Sequence, residues 1–119
     1  MNLKLIYDEQ YLLMQKMGWP GGKPGSQEAA KGHLLAAIVE CTEALNEINW
    51  KPWKNSKQSV DRMAYATELM DIIQFVINAA MAMNISPVTL EHALRNKWKV
   101  NHERIDRGET TNGSKKESS

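Results

Sequence analysis

The sequence predicts an all-α fold, a bundle of four to five helices that spans residues 1–107 as one domain. The first observation is a long apolar stretch at residues 61–83, whose few polar residues recur at helical spacing. The second is a pair of carboxylate sets, each with its acids three residues apart, joined by a short broken segment. The third is that breaks containing glycine or proline separate the apolar segments. Residues 108–119 contain no apolar residue, which predicts a disordered tail.

The first predicted helix covers residues 3–17, and its apolar face contains Leu3, Ile6, Leu13 and Met17. Gln10 and Met14 lie in the middle of this face. A glutamine there is either a core amide satisfied by its neighbours or a group reserved for a ligand. Residues 18–25 hold four glycines and two prolines, which predicts a mobile loop around Trp19. The loop either closes over a ligand or is a plain connector.

The second predicted helix begins after Ser26, a candidate N-cap. Its apolar stripe comprises Leu34, Ile38, Cys41, Leu45 and Ile48. A second stripe on nearly the opposite side comprises Glu40, Glu43 and Glu47. Such a stripe is typical of a solvated face. The flanking alanines would also permit another helix to approach closely, and a second subunit could provide that helix.

The third predicted helix covers residues 61–83, with most of its circumference buried and Ser56 or Ser59 as its cap. Its polar stripe comprises Glu68, Asp71, Gln74 and Asn78, at spacings of three, three and four. Burying an unpartnered carboxylate costs several kcal/mol, so this stripe should face a cation, a polar cleft or basic side chains. The alternative is a solvated edge near the start of the helix.

Two further segments carry cationic side chains. Residues 49–55 place two Trp-Lys pairs around a proline, which suits an anion or a base ring, although the tryptophans also suit the edges of a core. Ser86 and Pro87 predict the start of the last helix, whose apolar side contains Val88, Leu90, Ala93, Leu94, Trp98 and Ile105. On this helix Lys97, Asn101 and Arg104 share one stripe. They form either a solvated basic face or a set of phosphate ligands.

Composition excludes several classes of protein. A net charge of +1 gives no reason to expect a nucleic-acid partner. Cys41 is the only cysteine, so an intrachain disulfide and a cysteine-based zinc site are excluded, and a reducing cytoplasm fits. No apolar run approaches the length of a membrane span. We therefore expect a soluble, cytoplasmic protein.

The acidic residues form one constellation: Glu40-x-x-Glu43, twenty-four residues, then Glu68-x-x-Asp71. Acids three apart on a helix project together, so two such pairs on packed antiparallel helices bring four carboxylates around one point. Oxygen donors without histidine or thiol suit Mg²⁺ or Mn²⁺. Magnesium bound in this way keeps positions open for water and substrate phosphates.

At these residues the chain resembles the all-α nucleoside triphosphate pyrophosphatase superfamily, which includes the MazG-like proteins. The dimeric dUTPases and their phage relatives are the most similar group. The segment ECTEALNEINWKPWK, at residues 40–54, resembles their acidic helix and WKxWK-like segment. ELMDIIQF, at residues 68–75, resembles their second acidic helix. Lys97, Asn101, Arg104 and Gly108 match their KxxxNxxRxxxG element.

The resemblance implies hydrolysis of a nucleoside triphosphate between the α and β phosphorus atoms, giving a monophosphate and diphosphate, in control of the nucleotide pool. It implies Glu40, Glu43, Glu68 and Asp71 as ligands of Mg²⁺ or Mn²⁺, with catalytic roles for Glu40 and Glu43. Phosphates would be held by Lys54, Lys97, Asn101 and Arg104. Base or sugar contacts are assigned to Gln10, Met14, Trp19 and Asn78.

Two departures leave the base open. The uracil-specific members carry Gln-x-x-Leu-Asn in the first helix, whereas this chain has Met14 in place of the asparagine. Their second acidic helix often carries histidine where Gln74 stands here. Both dUTP and a purine nucleotide such as dGTP therefore remain candidates. Two other classes compete: a non-enzymatic helical module for a partner protein, and a regulatory nucleotide binder.

The apolar surface predicts assembly. Apolar faces on three helices exceed what one four-helix layer of this length covers, and large exposed apolar patches usually mark interfaces. We expect a homodimer or a dimer of dimers, with the second and third helices near the interface and the nucleotide site close to it.

Overall fold

The computed structural model describes residues 2–108, which form helices and loops with no strand. The helices are α1 (Leu3–Met17), α2 (Gln27–Asn46), α3 (Arg62–Ala82) and α4 (Pro87–Asp106). The predicted all-α fold is confirmed, with four helices in this part of the chain. The predicted tail lies outside the described residues except for Gly108, whose left-handed backbone follows the end of α4.

Side-chain caps begin α2 and α4 at the predicted residues. The Ser26 hydroxyl accepts a hydrogen bond from a backbone N–H of the first turn of α2 at 3.2 Å. Ser86 does the same for α4 at 3.1 Å, and Pro87 follows it at the first helical position. Each cap satisfies a backbone donor that the helix itself leaves unpaired.

The cap of α3 differs from the prediction. The Asp61 Oδ1 accepts hydrogen bonds from the backbone N–H groups of Met63 and Ala64, at 3.0 and 3.1 Å, so the prediction of Ser56 or Ser59 is wrong. A carboxylate at this position also complements the positive end of the helix dipole, which a serine hydroxyl does not.

Up to Ile85 the chain forms one compact unit, in which α2 packs along α3 and α1 packs on α3. The predicted antiparallel arrangement of the two acidic helices is confirmed. At the start of α2, the backbone N–H groups of Gly25 and Ser26 donate to the Ala82 carbonyl at the end of α3, at 2.7 and 3.0 Å. The same bonds hold the end of the glycine-rich loop that was expected to be mobile throughout.

The face of α2 that packs on α3 is not the predicted apolar stripe. The buried residues of α2 are Ala29, Ala30, His33, Ala37 and Ala44. Within the chain, Leu34 is 51% exposed and Ile38 62% exposed. Small side chains allow two helix backbones to approach closely, so the alanine face packs against α3 and the leucine face points outward.

The prediction that α3 is buried around most of its circumference holds only at its end. Its buried residues are Ile77, Asn78, Ala79, Ala80, Met81 and Ala82. Met63, Leu69 and Ile73, in the first two thirds, are exposed within the chain. The Gln10–Asn78 hydrogen bond places α1 against this end of α3, while α2 packs along α3.

The second unit begins at Ser86 and contains α4. None of the α4 residues is buried, and the apolar side chains of Val88, Leu94 and Trp98 are exposed. Among the described residues no single helix is long and apolar enough to span a membrane, and α3 and α4 meet the length and composition only when counted together.

Candidate functional site

Three of the four predicted carboxylates come together where α2 packs on α3. One carboxylate oxygen from each of Glu40, Glu68 and Asp71 lies within 4.8 Å of the others, and all three side chains are half-buried. Glu43 lies outside this group and is exposed. We call Glu40, Glu68 and Asp71 the carboxylate cluster. It forms because α2 turns its acidic, alanine-flanked face toward α3 rather than toward solvent.

Electrostatics in the cluster show crowding of like charge. The pKa of Glu68 is raised above its ordinary value of 4.5, first by removal of the carboxyl group from water. A hydrogen bond with the Glu40 side chain adds to the rise, followed by repulsion from Asp71, Glu40 and Glu43. Glu43 therefore acts on the cluster through its charge although its oxygens lie outside it.

The donor set of the cluster fits a hard divalent cation. Carboxylate oxygens alone, without a nitrogen or sulfur ligand, are what Mg²⁺ and Mn²⁺ prefer. Because these carboxylates repel one another, a bound cation would relieve the repulsion. Half-burial leaves one side of the cluster open to water and to a substrate.

The residues assigned to base or sugar binding fall into two places. Gln10 on α1 and Asn78 on α3 are both buried, and the Gln10 Nε2 donates to the Asn78 Oδ1 at 3.0 Å. Met14 is buried on the same side of α1. Trp19 is half-buried and its ring meets that of Tyr11 edge-on, with centroids 5.2 Å apart. Asn78 lies two helical turns beyond Asp71 on α3, roughly 10 Å along the axis.

The residues assigned to phosphate binding also divide. Lys54 is exposed in the loop between α2 and α3, at the opposite end of α3 from Asn78. Lys97, Asn101 and Arg104 share one stripe of α4, in the second unit. Asn101 Oδ1 is buried and has no hydrogen-bond partner among the described residues.

Three buried or bonded side chains were not singled out by sequence reasoning. Asn49 forms two hydrogen bonds to Gln58 across the loop between α2 and α3. His33 is buried on α2 facing Phe75, with ring centroids 6.1 Å apart, and burial lowers its pKa. The Tyr7 hydroxyl is buried without a hydrogen-bond partner among residues 2–108, and burial raises its pKa. Of the three, Tyr7 and His33 could have been found from the sequence, because each is a polar residue beside an apolar helix face.

These features define a class: an all-α protein whose antiparallel helix pair holds a carboxylate cluster suited to a divalent cation. Residues 2–103 match the profile of a family described as dUTPase. The match covers most of the chain, so the protein belongs to this family, and the resemblance drawn from the motifs is confirmed. Membership implies hydrolysis of nucleoside triphosphates in general terms and typical use of divalent metals. Comparisons with curated proteins and with solved structures gave no match.

Proposed function

We propose that the protein is a metal-dependent nucleoside triphosphate pyrophosphatase, converting a (deoxy)nucleoside triphosphate and water to the monophosphate and diphosphate. The observation that carries the proposal is the carboxylate cluster of Glu40, Glu68 and Asp71, inside the segment that matches the family. Mg²⁺ or Mn²⁺, once bound, would neutralise phosphate charge and lower the pKa of a bound water.

The acids of α2 and α3 have two proposed roles, metal binding and orientation of the attacking water. Glu40, Glu68 and Asp71 would hold the cation, with Glu43 as a further ligand or as the group that orients the attacking water. The exposed position of Glu43 beside the cluster suits the second role, because a carboxylate outside the coordinating group keeps its lone pairs for a proton. Lys54 would hold phosphate oxygens, and phosphate contacts are also proposed for Lys97, Asn101 and Arg104 on α4.

The order of groups along α3 supports a nucleotide that lies parallel to the helix. Lys54 lies beyond its start, the cluster lies near its middle and the Gln10–Asn78 pair lies near its end. The roughly 10 Å from Asp71 to Asn78 is a distance that a sugar and base can span. Two primary amides carry more donors and acceptors than their one mutual bond uses, so the pair can read the edge of a base.

The substrate base remains open between two candidates. We propose dUTP or a purine nucleotide such as dGTP, with Gln10 and Asn78 as polar contacts and Met14 and Trp19 as apolar ones. Met14 supplies no hydrogen bond, so discrimination depends on the amide pair and on the space beside the thioether. We propose that the active form is a homodimer or a dimer of dimers.

One screen tests the proposal. The common ribo- and deoxynucleoside triphosphates are incubated with the full chain and Mg²⁺ or Mn²⁺, and pyrophosphate and phosphate release are measured separately. The expected result is pyrophosphate release from one or a few nucleotides that disappears with EDTA. Thermal melting in the same mixtures separates the alternatives: a regulatory binder would be stabilised without release, and a helical interaction module would show neither response.

A further inference from the structure

The loop between α2 and α3 is closed by one side chain. The Asn49 Nδ2 donates to the Gln58 carbonyl at 2.8 Å, and the Asn49 Oδ1 accepts from the Gln58 N–H at 3.0 Å. An asparagine amide carries a donor and an acceptor side by side, so one residue satisfies both backbone groups of another. We call residues 49–58 the lysine loop and these two bonds its clamp.

Further contacts order the interior of the lysine loop. The Lys51 carbonyl accepts from the backbone N–H of Lys54 at 3.3 Å and from the Lys57 Nζ at 3.1 Å. The rings of Trp50 and Trp53 meet edge-on with centroids 5.7 Å apart. The loop is therefore a folded element whose shape depends on its closed ends, rather than a flexible connector.

The loop presents cationic groups without carboxylate partners. Among residues 2–108 no carboxylate lies within ion-pair distance of Lys51, Lys54 or Lys57. The Lys57 Nζ is bonded to the Lys51 carbonyl and the Lys51 Nζ lies 5.5 Å from the centroid of the Trp50 ring, so of the three ammonium groups that of Lys54 is available to an external anion. Lys54 and Lys57 line a cavity of about 240 Å³ together with Asn49, and the carboxylates of Glu47 and Asp61 line it as well. A cavity of this size accommodates phosphate groups with their waters.

The lysine loop lies at the end of the helix pair nearest the carboxylate cluster. Glu40 lies six residues before the end of α2 and Glu68 six residues after the start of α3. At 1.5 Å per residue, each acid is roughly 9 Å along its helix from the helix end that leads into the lysine loop. A triphosphate that binds a cation at the cluster can therefore extend toward Lys54.

We propose that Asn49 is a positioning residue: its clamp fixes the lysine loop so that Lys54 meets the phosphates of a nucleotide bound at the carboxylate cluster. The proposal rests on the proposed function for the identity of the ligand. Without the clamp, the loop must be ordered at the moment of binding, and that entropic cost weakens phosphate affinity without affecting the cluster.

The test uses tripolyphosphate, which has the phosphates of the substrate but no base, titrated into the full chain with saturating Mn²⁺. Asn49→Ala and Lys54→Ala are each expected to weaken binding on the order of tenfold. Asn49→Asp keeps the acceptor and loses the donor, so an intermediate loss is expected. Asn55→Ala is the matched control, because Asn55 is exposed in the same loop and outside the clamp. Mn²⁺ affinity should be equal in all variants.

A double-mutant cycle separates positioning from general damage. If Asn49 acts through Lys54, the double variant should bind tripolyphosphate no more weakly than Lys54→Ala alone. Additive losses, a loss of Mn²⁺ affinity in Asn49→Ala, or wild-type binding by that variant would each overturn the proposal. Nucleotide turnover is measured separately, so a chain that binds tripolyphosphate through the clamp yet hydrolyses no nucleotide would contradict only the proposed function.

Discussion

At the residue scale, Glu68 connects metal binding to stability. Its raised pKa means that the folded protein holds the proton more tightly than the unfolded chain. This contribution to the free energy of unfolding is fully present below the ordinary value of 4.5 and is lost as the pH rises through the higher folded value. At neutral pH the metal-free protein therefore carries repulsion that Glu68→Gln removes.

We predict that Glu68→Gln leaves the metal-free protein as stable as the wild type or more stable at pH 7.5, with a smaller difference near pH 4. Urea unfolding in EDTA at the two pH values measures this. Glu9→Gln, at an exposed residue of α1, is the control and should follow the wild type at both. A variant that is less stable than the wild type at pH 7.5 would show that the Glu68 carboxylate supports the metal-free fold.

The polar groups between α1 and α3 allow a second prediction. Gln10→Leu leaves the Asn78 Oδ1 without its donor, so we expect a loss on the order of 1–3 kcal/mol in the free energy of unfolding. Tyr7→Phe removes a hydroxyl that has no partner among the described residues, so stability should stay equal or rise. Thermal and urea unfolding compare the two variants. Equal losses would mean that the Tyr7 hydroxyl is paired in solution.

Residue-level prediction from sequence succeeded where a polar group interrupts an apolar pattern. Gln10 stood out in this way. Its amide bonds to Asn78, as expected of a core amide, and its unused donors and acceptors remain for a ligand, as the second interpretation requires. Asn49 gave no such signal, because it lies in a loop where asparagine is ordinary and its partner is nine residues away.

At the element scale, the start of α3 depends on Asp61. Replacing a cap by alanine typically costs about 1 kcal/mol, so Asp61→Ala should lower the free energy of unfolding by that amount. Ser56→Ala and Ser59→Ala should each change it by a few tenths at most, since neither residue caps the helix. Urea unfolding measures all three. A larger loss in either serine variant would indicate that this serine caps α3.

The bounds of the helices were predictable from sequence, while the faces they bury were not. Helical periodicity marks the stripe of Leu34 and Ile38 as clearly as the stripe of Glu40 and Glu43, but it does not say which stripe packs within the chain. The alanines decided the outcome, because α2 approaches α3 through them. This choice also brings Glu40 to Glu68 and leaves Glu43 outside the cluster.

At the scale of the whole molecule, the exposed leucine face of α2 bears on assembly. Leu34, Leu35, Ile38 and Val39 are all more than half exposed within the chain, and a contiguous apolar patch of this kind usually marks an interface. We predict a homodimer or a dimer of dimers in solution, and Ile38→Glu should shift it toward the monomer. Gln15→Glu, which adds the same charge at an exposed position of α1, is the control.

Light scattering at micromolar concentration measures the mass of each variant. The wild type and Gln15→Glu should have a mass of at least twice 13.5 kDa, and Ile38→Glu a lower one. A wild-type monomer of 13.5 kDa that retained activity would end the idea that the leucine face is an interface.

The central claim is that the carboxylate cluster holds the cation needed to cleave a nucleoside triphosphate. Pyrophosphate release from dUTP and dGTP, measured against Mn²⁺ concentration for wild type, Glu68→Gln and Glu9→Gln, tests it most directly. We predict that wild type and Glu9→Gln require Mn²⁺ and respond alike, whereas Glu68→Gln loses activity on the order of a hundredfold while remaining folded. Release at the wild-type rate by Glu68→Gln, or release by the wild type in EDTA, would contradict the claim.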